Sequence, residues 1–580
     1  MKIVFQALGK YRRKLLLLVF SVLCTTVCTM GWPRLLAVLV DSAIPNQDKG
    51  QVFSVCGLML LLVGAGIFFG ILTSRISADI SMGTGRDLRK GVFEKVTGFA
   101  QSQIDSFSTS SLITRTNTDV SQIQLFLNQC LSLAISAPVM CIVGIVLSVS
   151  QSPTLSRVLI VSVPVMAIVL LVIARFSMPL NITMQELTDR INLVTREKLT
   201  GARVIRAFGT TRFEDERFEK ISSGYTAVSK KSQRLLQLVM PLLTVILALT
   251  AGAVLYLAVS KSVYEGIDYT TGEVMSIVSY VMEIMVAVIQ LTYVFIMLPR
   301  ASTSARRVKE VLDSTDPLTQ PEASAKAGKM KGLLEFDHVT FTYPGSSVPA
   351  VKDLSFKAGP GEITAVIGGT GMGKSSIVNL IPRLYDVTEG RVLVDGTDVR
   401  DYTLKDLRDK IGFVPQKANL FTGTIDSNIA FGKEGAGEYD IEEAVRTAQS
   451  YDFVMKKEEG FSSPVAQGGS NFSGGQRQRL AIARALVRKP EIYVFDDSFS
   501  ALDFRTDKAL RGALKKQTEG KQCTTVIVAQ RISTVMDADR IIVIDSGNIM
   551  GIGRHDELMK NCPIYREIAE SQLGKEDEDK

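Results

Sequence analysis

The stretch IGGTGMGKSS at Ile367–Ser376 has residue types at a spacing suited to holding an anion. Gly368 through Ser375 fit the pattern G-x-x-x-x-G-K-[ST], with the apolar run ITAVI before it and SIVNLI, at helical spacing, after it. A strand, a glycine-rich turn and a helix therefore follow one another. Gly368, Gly371 and Gly373 let backbone N–H groups turn inward around phosphate, and the helix beginning near Lys374 adds the positive end of its dipole. The Lys374 ammonium can reach the β- and γ-phosphates, and the Ser375 hydroxyl can serve Mg²⁺. Without these flanks the same glycines would read as an ordinary strand-to-helix turn.

Downstream residues supply the rest of such a site. In IYVFDD, residues 492–497, four apolar positions end in Asp496, a carboxylate placed to hold Mg²⁺ through water. IGFVPQ reads as a strand ending at Gln416, and LLEFDHVTFTY alternates like an edge strand ending at Tyr343. In NFSGGQRQRLAIARAL, Ser473, Gly474 and Gly475 open a strongly helical run, so a second helix N-terminus suits an anion.

These elements occupy the second half of a 580-residue chain that is too long for one core. Hydrophobic residues make up 46% and mean hydropathy is +0.20, but both averages hide a split near residue 300. Long apolar runs fill the first part; alternating strands and helices of ordinary polarity fill the second. The net charge of +7 sits in clusters beside the apolar runs, where Lys and Arg fix orientation in a bilayer, so no nucleic-acid partner is expected. Of seven cysteines, Cys24, Cys28, Cys56, Cys130 and Cys141 lie in or beside apolar runs and Cys523 and Cys562 in the polar half. With no C-x-x-C, they read as small buried residues and not as a disulfide or zinc framework. The first thirteen residues lack a signal-cleavage site, and the apolar run after them is too long for a signal peptide.

Six runs can cross a bilayer, near 14–40, 52–74, 131–151, 157–177, 236–259 and 274–298. Lys2, Lys10, Arg12, Arg13 and Lys14 place the N-terminus inside, which returns the polar half to the cytoplasm after six crossings. The two long inner segments have a periodicity that continues the membrane helices into the cytoplasm. Within them FSTSSLIT, 107–114, and AFGTTRFE, 207–214, are either turns facing the soluble domain or plain solvated connector. Arg34, Glu283 and Gln290 fall inside apolar runs; they either face a substrate path or pair structurally, as Arg34 with Glu283 would. Trp32 is either an interfacial anchor or packed. Expected boundaries are a membrane domain at 1–310, a linker at 311–332, a nucleotide-binding domain at 333–573 and a disordered acidic tail at 574–580.

With the FSGGQ segment in place, the chain resembles an ATP-binding cassette exporter half-transporter over essentially its whole length, including TGARVIRAF, which resembles that family's second intracellular loop. The resemblance implies an α-helical membrane domain of six transmembrane helices fused to an α/β P-loop domain. It also implies a dimer in which ATP and Mg²⁺ lie between the Walker motifs of one chain and the signature of the other. By position, Gly368, Gly369, Thr370, Gly371, Met372, Gly373, Lys374, Ser375 and Ser376 would cradle the nucleotide and Tyr343 would stack on adenine. Ser375, Gln416 and Asp496 would serve the metal, and Gln416 would be the Q-loop residue. Ser473, Gly474, Gly475 and Gln476 would reach the partner's nucleotide, and Asp503 matches the D-loop.

The resemblance breaks at three positions. Asp497 stands where the family has the glutamate that polarises water; one methylene shorter, its carboxylate is drawn back by roughly 1.5 Å, and about 1 Å of misplacement costs on the order of a hundredfold in rate. Gln530 replaces the switch histidine and cannot share a proton as imidazole does; His338 and His555, the chain's two histidines, lie in other contexts. Gln467 stands where glutamate is frequent. Together these imply an exporter subunit in a cytoplasmic-type membrane, with impaired hydrolysis at its own site and a different half-transporter as partner. The substrate class suggested is a small amphiphile, drug or lipid. A slow homodimer, or an ATP-gated regulatory subunit that does not drive transport, are the alternatives.

Overall fold

The computed structural model describes residues 1–267, 269–315, 318–325, 331–518 and 523–576. Among these, six helices are long and apolar enough to cross a membrane: Ile3–Ala43, Lys49–Thr97, Thr109–Gln151, Arg157–Thr200, Thr211–Glu265 and Thr271–Leu312. At 1.5 Å per residue the 49 residues of Lys49–Thr97 extend about 73 Å, over twice a hydrocarbon core of about 30 Å. The apolar runs thus continue as helix into the polar sequence beyond them, as its periodicity predicts.

The chain divides into two compact units, Met1–Thr97 with Ser110–Ser314, and Gly98–Thr109 with Thr315–Lys580. In the first, large apolar side chains such as Phe53, Leu60 and Ile160 point outward while Ser21, Thr26, Ser77, Ser81 and Thr84 are buried. That inverted pattern suits helices surrounded by lipid, where packing favours small residues that permit close approach. Gly272 lies against the Ala37 backbone, and the Asp41 carboxylate caps the sixth helix by accepting from the Gly272 N–H at 2.7 Å. Arg34 and Glu283 share no hydrogen bond or ion pair among the described residues, so of the two readings open for them the Arg34–Glu283 pair is not formed. Trp32 is partly exposed.

Of two breaks in the first inner segment, one falls inside 107–114 and one before it. The backbone breaks at 98–100, forms the short helix Gln101–Phe107, and breaks again only at Ser108, whose φ of 60° is left-handed; Thr109–Thr114 is helical. The second expected turn, 207–214, narrows to residues 208–210 between the helices Ala202–Ala207 and Thr211–Gln237.

Among the described residues the second unit carries twelve strands: β1 Leu334–Phe341, β2 Val351–Ala358, β3 Ile363–Ile367, β4 Glu389–Val394, β5 Thr397–Asp398, β6 Ile411–Val414, β7 Gly423–Thr424, β8 Pro464–Val465, β9 Ile492–Asp496, β10 Thr524–Ala529, β11 Arg540–Asp545 and β12 Asn548–Gly553. One sheet has the order β2-β1-β4-β5; a second, mostly parallel, has the order β12-β11-β3-β10-β9-β6; β7 and β8 pair alone. Strands of the parallel sheet are buried on both faces, which is why they read as continuous apolar runs. In β9, Tyr493 and Phe495 enter one core while Ile492 and Val494 enter the other. The described part of the polar connector is tied to this unit, with the Thr403 N–H donating to Ser324 Oγ at 2.8 Å and Arg383 donating to the Thr319 carbonyl at 2.9 Å. Of the acidic tail expected at 574–580, residues 574–576 belong to the helix Pro563–Glu576, and 577–580 lie outside the described residues.

Candidate functional site

Parallel strands that end side by side bring distant residues together. The glycine-rich turn follows β3, Asp496 ends β9, Asp497 follows it, Gln530 follows β10 and Gln416 lies just beyond β6. β3, β10, β9 and β6 are neighbours in that order, so their C-terminal ends form one edge, the usual ligand side of such sheets.

The turn cannot be built without glycine at two points. Gly373 has φ 94°, and a Cβ there would collide with the Ala350 carbonyl; a Cβ on Gly368 would collide with the Ile544 carbonyl. The chain leaves the turn directly into the helix Lys374–Leu380. Lys374 is buried and folds back over the turn, its Nζ donating to the carbonyls of Gly368 at 2.8 Å and Gly369 at 2.6 Å. Burial lowers its pKa from the ordinary lysine value, against the opposing pull of Asp497 and Asp496. Gly369, Thr370 and Gly371 are exposed at the tip, while Met372 accepts from the Ser546 N–H through its sulfur at 3.3 Å.

Ser375 Oγ donates to Asp496 Oδ1 at 3.0 Å, which sets a hydroxyl and a carboxylate side by side. Burial raises the Asp496 pKa above the ordinary carboxylate range; the Ser375 bond opposes the shift and the Asp497 charge adds to it. Asp497 is buried, has φ 45°, and accepts at a single oxygen, Oδ2, from Gln416 Nε2 at 3.2 Å and Gln530 Nε2 at 3.1 Å. A glycine cradle, an ammonium folded over it and an adjacent pair of hard oxygen donors fit a nucleotide's phosphates with Mg²⁺.

Tyr343 does not stand free. Its hydroxyl shares a hydrogen bond with Ser376 Oγ at 3.0 Å, and its ring meets Phe341 and Tyr385 edge-on with centroids 4.8 and 5.3 Å away. Ser473 caps the helix Gly474–Leu486 in a reciprocal box with Gln476, at 3.3 and 3.0 Å. Ser473 and Gly474 are exposed, and no hydrogen bond links Ser473–Gln476 to the glycine-rich turn among the described residues. A Cβ on Gly475 would lie 3.0 Å from the Ala501 carbonyl, so the signature and the segment leading to Asp503 pack closely. Asp503 caps the helix Phe504–Thr518 by accepting from the Thr506 N–H at 3.0 Å; hydrogen bonding from the Thr506 side chain, and then from its backbone, holds the Asp503 carboxyl below the ordinary range. Gln467 opens a short 3₁₀ turn, Gln467–Gly469, ahead of the signature. His338 is paired with Asp353 at 2.6 Å and His555 with Tyr565 at 2.8 Å.

Sequence reasoning missed Tyr385 and Asp105. The Tyr385 hydroxyl donates to Asp105 Oδ2 at 2.5 Å across 280 positions of chain. An aromatic residue soon after a phosphate-binding helix was the available signal; nothing local marked its partner.

A family model for the ABC transporter transmembrane region matches residues 15–288, and one for the ABC transporter matches residues 351–500. An uncharacterized ABC transporter ATP-binding protein of Mycobacterium tuberculosis is 38% identical over 571 residues, covering 98% of this chain and 97% of that protein. The ATP-dependent lipid A-core flippase of Yersinia pestis is 30% identical over 572 residues, with the same coverage of 98% and 97%. A solved structure of a bacterial Atm1-family ABC exporter with ATP bound has a TM-score of 0.81 and 25% identity, covering 97% of this chain and 99% of that one. With six membrane-length apolar helices followed by this α/β unit and its glycine-rich turn, the chain belongs to the ABC transporter family as an exporter half-transporter.

Proposed function

We propose that this chain is the slow-site subunit of a heterodimeric exporter in a cytoplasmic-type membrane, with its nucleotide-binding half in the cytoplasm. The observation that carries this reading is the state of Asp497, whose Oδ2 is shared by the amides of Gln416 and Gln530. Asp497 is one methylene shorter than the family's glutamate, and neither amide can take up a proton at neutral pH. A water molecule beside this carboxylate would find it already engaged and set back. Binding, by contrast, needs only groups that are intact.

In this reading residues 1–310 form the membrane domain and 333–573 the nucleotide-binding domain. Gly368–Ser376 wrap the phosphates, Lys374 counters their charge, and Ser375 and Asp496, with Gln416, serve Mg²⁺. Tyr343 meets the base. When bound, ATP with Mg²⁺ supplies a phosphoanhydride whose cleavage drives the cycle. The Ser473–Gln476 segment, exposed at Ser473 and Gly474, reaches with Asp503 the nucleotide held by the other chain. That chain would carry the complete glutamate and histidine. The transported compound is an amphiphile; the exposed apolar faces of the membrane helices support this, as does a relative named for a lipid.

The test is ATPase activity of the purified chain in lipid, alone and with a half-transporter co-expressed beside it. Little turnover alone, restored in the mixture and abolished by Glu→Gln in the partner, supports the heterodimer. Brisk turnover of the chain as a homodimer overturns the slow-site reading.

A further inference from the structure

The turn that carries Gln530 is held from a distant part of the chain. β10 ends at Ala529 and the helix Ile532–Val535 follows, so Gln530 and Arg531 form the whole link between them. A helix start leaves backbone N–H groups without intrahelical partners, and the Arg531 side chain does not cap this one. The Ile532 N–H finds its acceptor 40 positions away, donating to Gln572 Oε1 at 2.8 Å. The same carboxamide donates from Nε2 to the Gln530 carbonyl at 2.9 Å. One side chain thus bridges both ends of the link. Glutamine suits the task because its amide presents an acceptor and a donor together; a carboxylate could meet only the N–H, and an ammonium only the carbonyl.

Gln572 is itself firmly placed. It lies on the helix Pro563–Glu576, where Tyr565, Ala569 and Gln572 recur at i, i+4 and i+7 on one face. Tyr565 and Ala569 are fully buried in the apolar core that also takes up Ile532 and Val535, and the Tyr565 hydroxyl shares a hydrogen bond with His555 Nδ1. The clamp therefore ties the backbone of Gln530 to a packed helix. From that backbone the Gln530 side chain, partly exposed, reaches Asp497 Oδ2 with one N–H. A carboxamide nitrogen carries two hydrogens, and among the described residues the second has no acceptor. Asp497 lies close enough to Lys374 for its charge to act on that ammonium, which brings the spare N–H into the neighbourhood of the group that reaches the terminal phosphates.

We infer that Gln572 is a positioning residue: by clamping the backbone on both sides of Arg531, it holds the Gln530 amide where its second N–H donates to the terminal phosphoryl group of a bound nucleoside triphosphate. The inference rests on the reading of Gly368–Ser376 as the nucleotide cradle and is independent of how fast the site turns over.

The experiment uses the full-length dimer in lipid nanodiscs and photolabels this chain with 8-azido-ATP, which reads its own site even beside a different partner chain. Protection by magnesium AMP-PNP and by magnesium ADP gives the two affinities. Gln572→Leu keeps the bulk of the side chain and removes both bonds, so AMP-PNP binds roughly tenfold more weakly, the scale of one hydrogen bond to a charged acceptor, while ADP stays within about twofold. Gln530→Ala does the same, and the double variant is no worse than either single one because the clamp acts through Gln530. Equal weakening of AMP-PNP and ADP, which a general loss of packing would give, overturns the inference while the cradle stands. So does an unchanged AMP-PNP affinity in either single variant, or additive losses in the double variant. Absence of wild-type labelling by 8-azido-ATP overturns the cradle reading itself and the inference with it.

Discussion

Gln530 donates its side-chain amide to Asp497 Oδ2 at 3.1 Å, the same oxygen that Gln416 reaches at 3.2 Å. Two family departures thus meet in one hydrogen bond and compensate each other structurally: a shorter carboxylate beside a neutral donor leaves no buried charge without a partner. In the slow-site reading proposed above, they subtract together catalytically. Asp497→Glu with Gln530→His is expected to raise ATP turnover by about a hundredfold, the combined scale of repositioning and general-base help, and either single change by much less. Phosphate release under saturating ATP checks this; a double-variant gain no larger than the product of the two single gains would mean that the two positions act independently.

Ser375 and Asp496 predict a magnesium-specific defect. Asp496→Asn should remove the Mg²⁺-dependent part of nucleotide affinity, so that chelation weakens TNP-ATP binding of the wild type about tenfold and leaves the variant unchanged. The raised pKa of Asp496 sets the sign with pH: the buried carboxylate costs stability at neutral pH, and that cost lifts as pH falls through its raised folded value. The asparagine variant should therefore be as stable as the wild type at neutral pH, or more so, in thermal unfolding.

Gly373→Ala tests the turn itself. A side chain at φ 94° is strained, and its Cβ meets the Ala350 backbone, which cannot swing away as a flexible side chain would. A loss of about 2–3 kcal/mol in chemical unfolding is expected, together with loss of nucleotide binding. Gly474→Ala, where a Cβ meets nothing, should leave stability within about 0.5 kcal/mol.

His338 provides a pH signature away from the cradle. Its hydrogen bond to Asp353, then the Asp353 charge and, more weakly, Asp337 raise its pKa above the ordinary value. Stability from the pair is fully present below the unfolded histidine pKa of about 6.5 and is lost as pH rises through the higher folded value. The melting-temperature gap between wild type and His338→Gln should be widest on the acid side of that window and close on the alkaline side. A constant gap would assign His338 a purely steric role.

How much of this molecule was legible in advance depended on the range of the forces involved. Apolar runs long enough to cross a bilayer and apolar strands capped by Gly, Asp or Gln are local patterns, so six membrane helices and the strand-turn-helix at Gly368–Ser376 could be read residue by residue. The glycines of that turn are demanded by backbone geometry that few other residues adopt, which made the motif unambiguous. The stretch 107–114 contains one break of the first inner segment, at Ser108, whose φ of 60° no glycine or proline signals, but the earlier break at 98–100 had no local mark.

Sequence by itself determined the family, the order of the two halves and the residue types at every position of the candidate site. Only the tertiary structure decided which of those residues meet. Gln416 lies 81 positions from Asp497, and Gln530 lies 33 positions away on the other side. They share one oxygen because β6, β9 and β10 are neighbours in the sheet, an order set by burying both faces of those strands. The bond between Asp105 and Tyr385 spans 280 positions and follows from packing alone. Such pairings are outcomes of how the core closes, and no local pattern of residues encodes them.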